Sequence, residues 1–197
     1  MPVKVDALLA WEDEASDKRP TVKQLRKLAN IYKRPLAVFY LSEPPKSFQA
    51  MHDYRRLPGD WMQQESPDLR LEIRRARYRR EVALALYAAL GDEPPRFDLA
   101  TSLDTEAEET ATSIRRVLGI TWDQQTSWRQ PYPALHAWRG AAESVGILVF
   151  QMSGVEVEEA RGFSIGEHPL PVIAVNAKDA PRARIFSMLH EIAHLTL

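Results

Sequence analysis

The stretch Pro171-Val172-Ile173-Ala174-Val175-Asn176, followed after a short polar turn by Pro181-Arg182-Ala183-Arg184-Ile185-Phe186-Ser187-Met188-Leu189-His190-Glu191-Ile192-Ala193-His194, decides how this chain folds. The first part is a short β-branched run between turn residues, which reads as a buried strand. The second starts with a proline suited to a first helical position and carries Ile185, Met188, Leu189, Ile192 and Ala193 at helical spacing. Within that helix His190 and His194 lie four residues apart, one above the other, so both imidazoles can reach one metal ion. Glu191 sits beside them, placed to take a proton from an attacking water molecule. Phe186, Leu189, Ile192, Ala193 and Leu195 are expected to pack behind this polar trio. The plainer reading is two partly exposed histidines on an ordinary helix. The glutamate between them and the strand before them favour zinc, for which neutral imidazole is a suitable ligand.

Working outward, residues 146–152 and 162–165 are two further β-rich runs, with Gly154, Gly166 and Pro169 as punctuation. Upstream the periodicity is helical. A short amphipathic helix is expected over residues 3–11 and a short apolar element over 36–41, with a helix opening at Thr21 between them that carries Val22, Leu25, Leu28, Ala29 and Tyr32. A long helix runs from Pro67 to Leu90, capped by Gly91, with an apolar face of Leu69, Ile73, Ala76, Ala83, Tyr87 and Leu90. Thr105 and Glu108 have capping-box spacing for a helix to about Leu118, and another helix covers residues 133–144. The fold class is therefore α+β: a helical N-terminal portion, then a small antiparallel or mixed sheet packed against a zincin-type H-E-x-x-H helix. The expected units are residues 1–45, a connecting helical region 46–139, and 140–197.

Composition narrows the chemistry. The 197 residues include 26 Lys plus Arg against 27 Asp plus Glu, so net charge points to neither nucleic acid nor an acidic ligand. There are no cysteines, which excludes disulfides, thiolate metal sites and cysteine nucleophiles. With the acidic residues Asp6, Glu12, Asp13, Glu14 and Asp17 and no long apolar stretch in residues 1–20, no N-terminal signal peptide is expected. The most apolar run, residues 146–150, is too short to span a bilayer. A soluble cytoplasmic protein without membrane contact is expected.

Residues 140–197 resemble the ImmA/IrrE family of metallopeptidases. The resemblance rests on Gly146-Ile147-Leu148-Val149-Phe150, Ala160-Arg161-Gly162-Phe163-Ser164, residues 171–176 and residues 183–194. It implies a zinc-dependent metallo-endopeptidase that acts on a helix-turn-helix repressor in a stress-response or mobile-element circuit. His190 and His194 would be zinc ligands and Glu191 the catalytic base. The family's third ligand is an acidic residue on a later helix, which nothing after Leu197 supplies. The expectation is a fragment of a longer protein, or an incomplete site that hydrolyses peptides poorly or not at all. Upstream, His168 and Glu167 are candidate ligands that read more simply as solvated turn residues. Asn176 either contacts substrate backbone or caps its turn. Arg182 and Arg184 are candidates to orient a substrate carbonyl, although arginines in a first helical turn are usually solvated.

Residues 3–45 resemble the back half of an Xre-type helix-turn-helix domain fused to such peptidases, on Leu9-Ala10-Trp11-Glu12 and on residues 19–25, 28–41 and 44–45. Residues 53–58 match a segment that follows that domain. The resemblance implies an alternative function, a DNA-binding transcriptional regulator whose peptidase domain is sensory or inactive. Met1 falls near the start of the would-be recognition helix, so DNA binding is expected only with the bracing helices restored. The arginines Arg70, Arg74, Arg75, Arg77, Arg79 and Arg80 form a basic stripe. It is read either as a phosphate track or as a solvated face paired with Glu106, Glu108 and Glu109. Trp61, Trp122, Trp128 and Trp138 read as packing anchors.

Overall fold

The computed structural model describes residues 4–13, 15–43, 45 and 65–197. Residues 53–58 of the resemblance, Trp61 and the first three residues lie outside that set. The strands are β1 (Leu148–Met152), β2 (Gly162–Ile165) and β3 (Val172–Asn176). They form a mixed sheet in the order β1-β3-β2, with β1 parallel and β2 antiparallel to β3. Every residue of β3 is buried, as expected for a central strand covered on both faces. The class is α+β.

Strand alternation sorts the core into two faces. Phe163, Ile165, Val172, Ala174 and Met152 pack with Leu69, Ile73 and Ala76 of α3 (Pro67–Leu90). Val149, Ile173 and Val175 point the other way. There they meet Met188 and Ile192 of α7 (Pro181–Leu195), Trp138 and Ala142 of α6 (Pro131–Ser144), and Ile114 and Leu118 of α4 (Ala107–Leu118). The period of two also puts Gly162 and Ser164 of β2 on the α7 side, opposite Val175 and Ile173 of the central strand.

Helix α3 has strong end signals. The Ser66 hydroxyl accepts from the Leu69 amide at 3.1 Å, Pro67 occupies the first turn, and Gly91 closes the helix at φ 72°. The Ser66 amide and hydroxyl both donate to Glu159, each at 2.8 Å, which ties the start of α3 to the loop before β2. Arg80 is buried and its guanidinium donates to the Leu170, Glu167 and Pro169 carbonyls and to the Glu167 carboxylate, at 3.0–3.1 Å.

Several expectations are corrected. The apolar face of α3 is buried only in its first half; Leu90 is exposed, because the sheet ends near Arg80. The arginine stripe does not pair with Glu106, Glu108 or Glu109 among the described residues. Arg70 pairs with Glu65, Arg75 with Glu72, and Arg77 and Arg80 with Glu167, while Arg74 donates to the Lys33 carbonyl. Near Arg74 the stripe meets the end of α2 (Val22–Ile31), where burial first, then Arg74 and Arg70, push the Arg34 guanidinium down to about 10. The Thr105–Glu108 box does not form. Helix α4 starts one residue later behind Glu106, with no side-chain cap.

A real capping box, Thr121 with Gln124, opens the short α5 (Trp122–Ser127), which the periodicity did not reveal. The N-terminal element is α1 (Val5–Glu12), none of whose residues is buried, and residues 36–40 form a 3-10 turn. Trp138 and Trp128 do anchor packing, edge to face at 6.1 Å. Trp122 is exposed, with the Arg115 guanidinium 5.5 Å from its ring. Among the described residues no helix is long and apolar enough to cross a membrane.

Candidate metal centre

Helix α7 begins at Pro181 without a side-chain cap, and Arg184 fixes its first turn instead. Its Nε donates to the Asp179 carbonyl at 2.9 Å, and the guanidinium lies 6.0 Å from the Tyr132 ring. Arg184 is thus a buried strut of the loop entering α7, which answers the expectation of a solvated first-turn arginine. Arg182 is exposed. Asn176 is also committed internally. Its amide donates to the Val155 and Ala160 carbonyls at 3.1 and 2.9 Å, and its oxygen accepts from the Lys178 amide at 3.0 Å. Of the two roles open to Asn176, these bonds perform the capping one.

Two rows of side chains define the working part of α7. Ser187, Met188, Glu191 and Ile192 are buried toward the sheet. His190 and His194 form the half-exposed row beside them. Their Nε2 atoms stand 3.0 Å apart, with ring centroids at 4.6 Å and planes at 82°. Bonds of about 2.0–2.1 Å at a tetrahedral zinc place two nitrogens roughly 3.3 Å apart, so the pair fits a shared ion with little adjustment. Phe186 is on this row too. It is 58 % exposed and stacks on His190 at 6.5 Å, rather than packing behind the motif as expected.

Glu191 is 1 % exposed, and its Oε2 accepts from the Ser164 hydroxyl at 2.8 Å. The bond exists because β2 alternates: Ser164 and Gly162 share the face that meets α7. Gly162 leaves the room the carboxylate needs. A Cβ there would sit 3.6 Å from Glu191 Cγ, and only 3.0 Å from the Ala174 carbonyl oxygen. Ser187 lies one turn before Glu191 with its hydroxyl buried and without a hydrogen-bond partner, beneath the same carboxylate. The sequence named Ser164 only as part of a resemblance; its role was readable from its period-two relation to Gly162.

The far end of α7 is also fixed. The Thr101 amide donates to the Thr196 carbonyl at 2.6 Å, and the two hydroxyls are 3.1 Å apart. Neither upstream candidate completes a ligand set. His168 is exposed in the loop after β2, and Glu167 is taken by Arg77 and Arg80. Among the described residues no group of three or more His, Asp or Glu side chains gathers to hold a metal.

No curated protein and no solved structure matches the chain. Residues 142–197 match the peptidase M78 family, described as the IrrE N-terminal-like domain. That span contains all three strands and the whole of α7, and on this match the C-terminal segment of the chain is similar to the IrrE N-terminal-like domain of the M78 peptidase family.

Proposed function

We propose that the domain provides the histidine pair and the general base of a zinc-dependent endopeptidase that acts on a cytoplasmic helix-turn-helix repressor. The observation that carries the reading is the pairing of His190 and His194 Nε2 at 3.0 Å beside a buried Glu191 held from β2. Zinc, when bound, would supply Lewis-acid polarisation of the scissile carbonyl. His190 and His194 would hold it, with their rings set by the i, i+4 spacing. A third ligand would come from outside the described residues.

Glu191 takes the proton of the attacking water and returns it to the leaving nitrogen. Ser164 donates to one carboxylate oxygen and so fixes the plane of the group, which limits the orientation freedom lost on reaching the transition state. The repressor as substrate rests on family resemblance. Helix α1, on which the DNA-binding alternative depends, contains no lysine or arginine within its eight residues, so the peptidase reading is preferred.

The test is metal content together with cleavage. Purified protein should take up zinc in a manner abolished by His190→Ala. The protein with a third ligand present should cut its repressor and lose that activity in Glu191→Gln. Undiminished cleavage by Glu191→Gln would refute the general-base assignment.

A further inference from the structure

The second half of α3 is an anomaly for a monomer. Residues 82–90 read Val-Ala-Leu-Ala-Leu-Tyr-Ala-Ala-Leu without a single charged side chain and with the Tyr87 hydroxyl as their one polar group, yet none of them is buried. A helix segment that is apolar all round is ordinarily covered. Tyr78, Val82, Leu86 and Leu90 recur every four residues along it and are 66, 39, 58 and 74 % exposed. They present a patch of roughly 500 Å², at the upper end of what a monomer leaves open.

We infer that this face pairs with the same face of a second copy of the chain, the two α3 helices running antiparallel about a two-fold axis at Leu86. Charge selects the direction. Exposed Arg79 precedes the apolar run, and exposed Asp92 and Glu93 follow it. With Leu86 opposite its twin, Val82 faces the second copy's Leu90, and the Arg79 end of one run comes to the Asp92–Glu93 end of the other. A parallel pairing would set Arg79 against Arg79 and Glu93 against Glu93, which repel. Ala83, Ala85 and Ala89 flank the stripe and allow the helices to approach closely. Two such faces, wholly covered, bury about 1,000 Å², the threshold for a specific interface. Self-complementary contact of this kind closes on itself as a dimer and does not propagate into fibres.

The chain has no native cysteine, so single introduced thiols report the pairing directly. Light scattering of the purified 197-residue protein at micromolar concentrations should give twice the chain mass of 22.5 kDa. Leu86→Glu should raise the dissociation constant about a hundredfold or more, because a charge would be buried at the axis. Under mild oxidation Leu86→Cys should cross-link to itself efficiently. Leu90→Cys should do so poorly alone, and well when mixed with Val82→Cys. A protein that stays monomeric at every concentration overturns the proposal. So does self-linking of Leu90→Cys as fast as Leu86→Cys, which would mean a parallel or different register. A monomer whose Leu86→Glu variant melts at the parent temperature would reserve the face for an unlike partner, and also overturns it.

Discussion

Removing the Ser164 hydroxyl takes away a charge-assisted hydrogen bond in a place water reaches poorly, since Ser164 is 7 % and Glu191 1 % exposed. Ser164→Ala should therefore lower stability by about 1–3 kcal/mol, measured by chemical denaturation of the metal-free protein. Ser164→Thr should recover most of that loss if its hydroxyl reaches the same oxygen. At Glu191, the isosteric Gln keeps the shape and discards the base. Zinc uptake should persist, while cleavage by the completed enzyme falls about 10²–10⁴-fold. At this scale the motif was legible because its spacing is itself the geometry: two imidazoles four apart on a helix must converge. Asn176 and Arg184 were not legible in the same way. Their residue types allow both substrate contact and loop bracing, and only the positions of the Val155, Ala160 and Asp179 carbonyls decide between the two.

Among the elements, α3 shows what periodicity conveys and what it leaves out. Its limits followed from Pro67 and Gly91, because caps are local chemistry. Which part of it would be covered did not follow, since that depends on how far the sheet extends. Arg80 marks the boundary. Its buried guanidinium holds three carbonyls and a carboxylate of residues 167–170, so Arg80→Ala strands one buried and three part-buried acceptors at once. The expected cost is about 2–4 kcal/mol, read from the midpoint of urea unfolding. Helix α5 illustrates the reverse failure. Its Thr121–Gln124 box was in plain view, but six residues are too few to show a period.

For the whole molecule, the β3 strand is the keystone: both core clusters meet on its two faces. Ile173→Ala should cost about 2–5 kcal/mol, and a cooperative loss of both clusters in a single thermal transition would show that they unfold together. The α+β class was readable because strand runs and helical periods occupy separate parts of the chain. The sheet order was not, because β1 and β3 pair across an intervening strand that chain proximity alone would have placed between them. A last consequence belongs to the length of α3, about 36 Å of continuous helix at 1.5 Å per residue. Among the described residues only its first half is clamped by buried side chains, so one unbroken ladder should display two rates of deuterium uptake. Amides before Arg80 should exchange only with global opening, and those beyond Val82 by local fraying at high dilution.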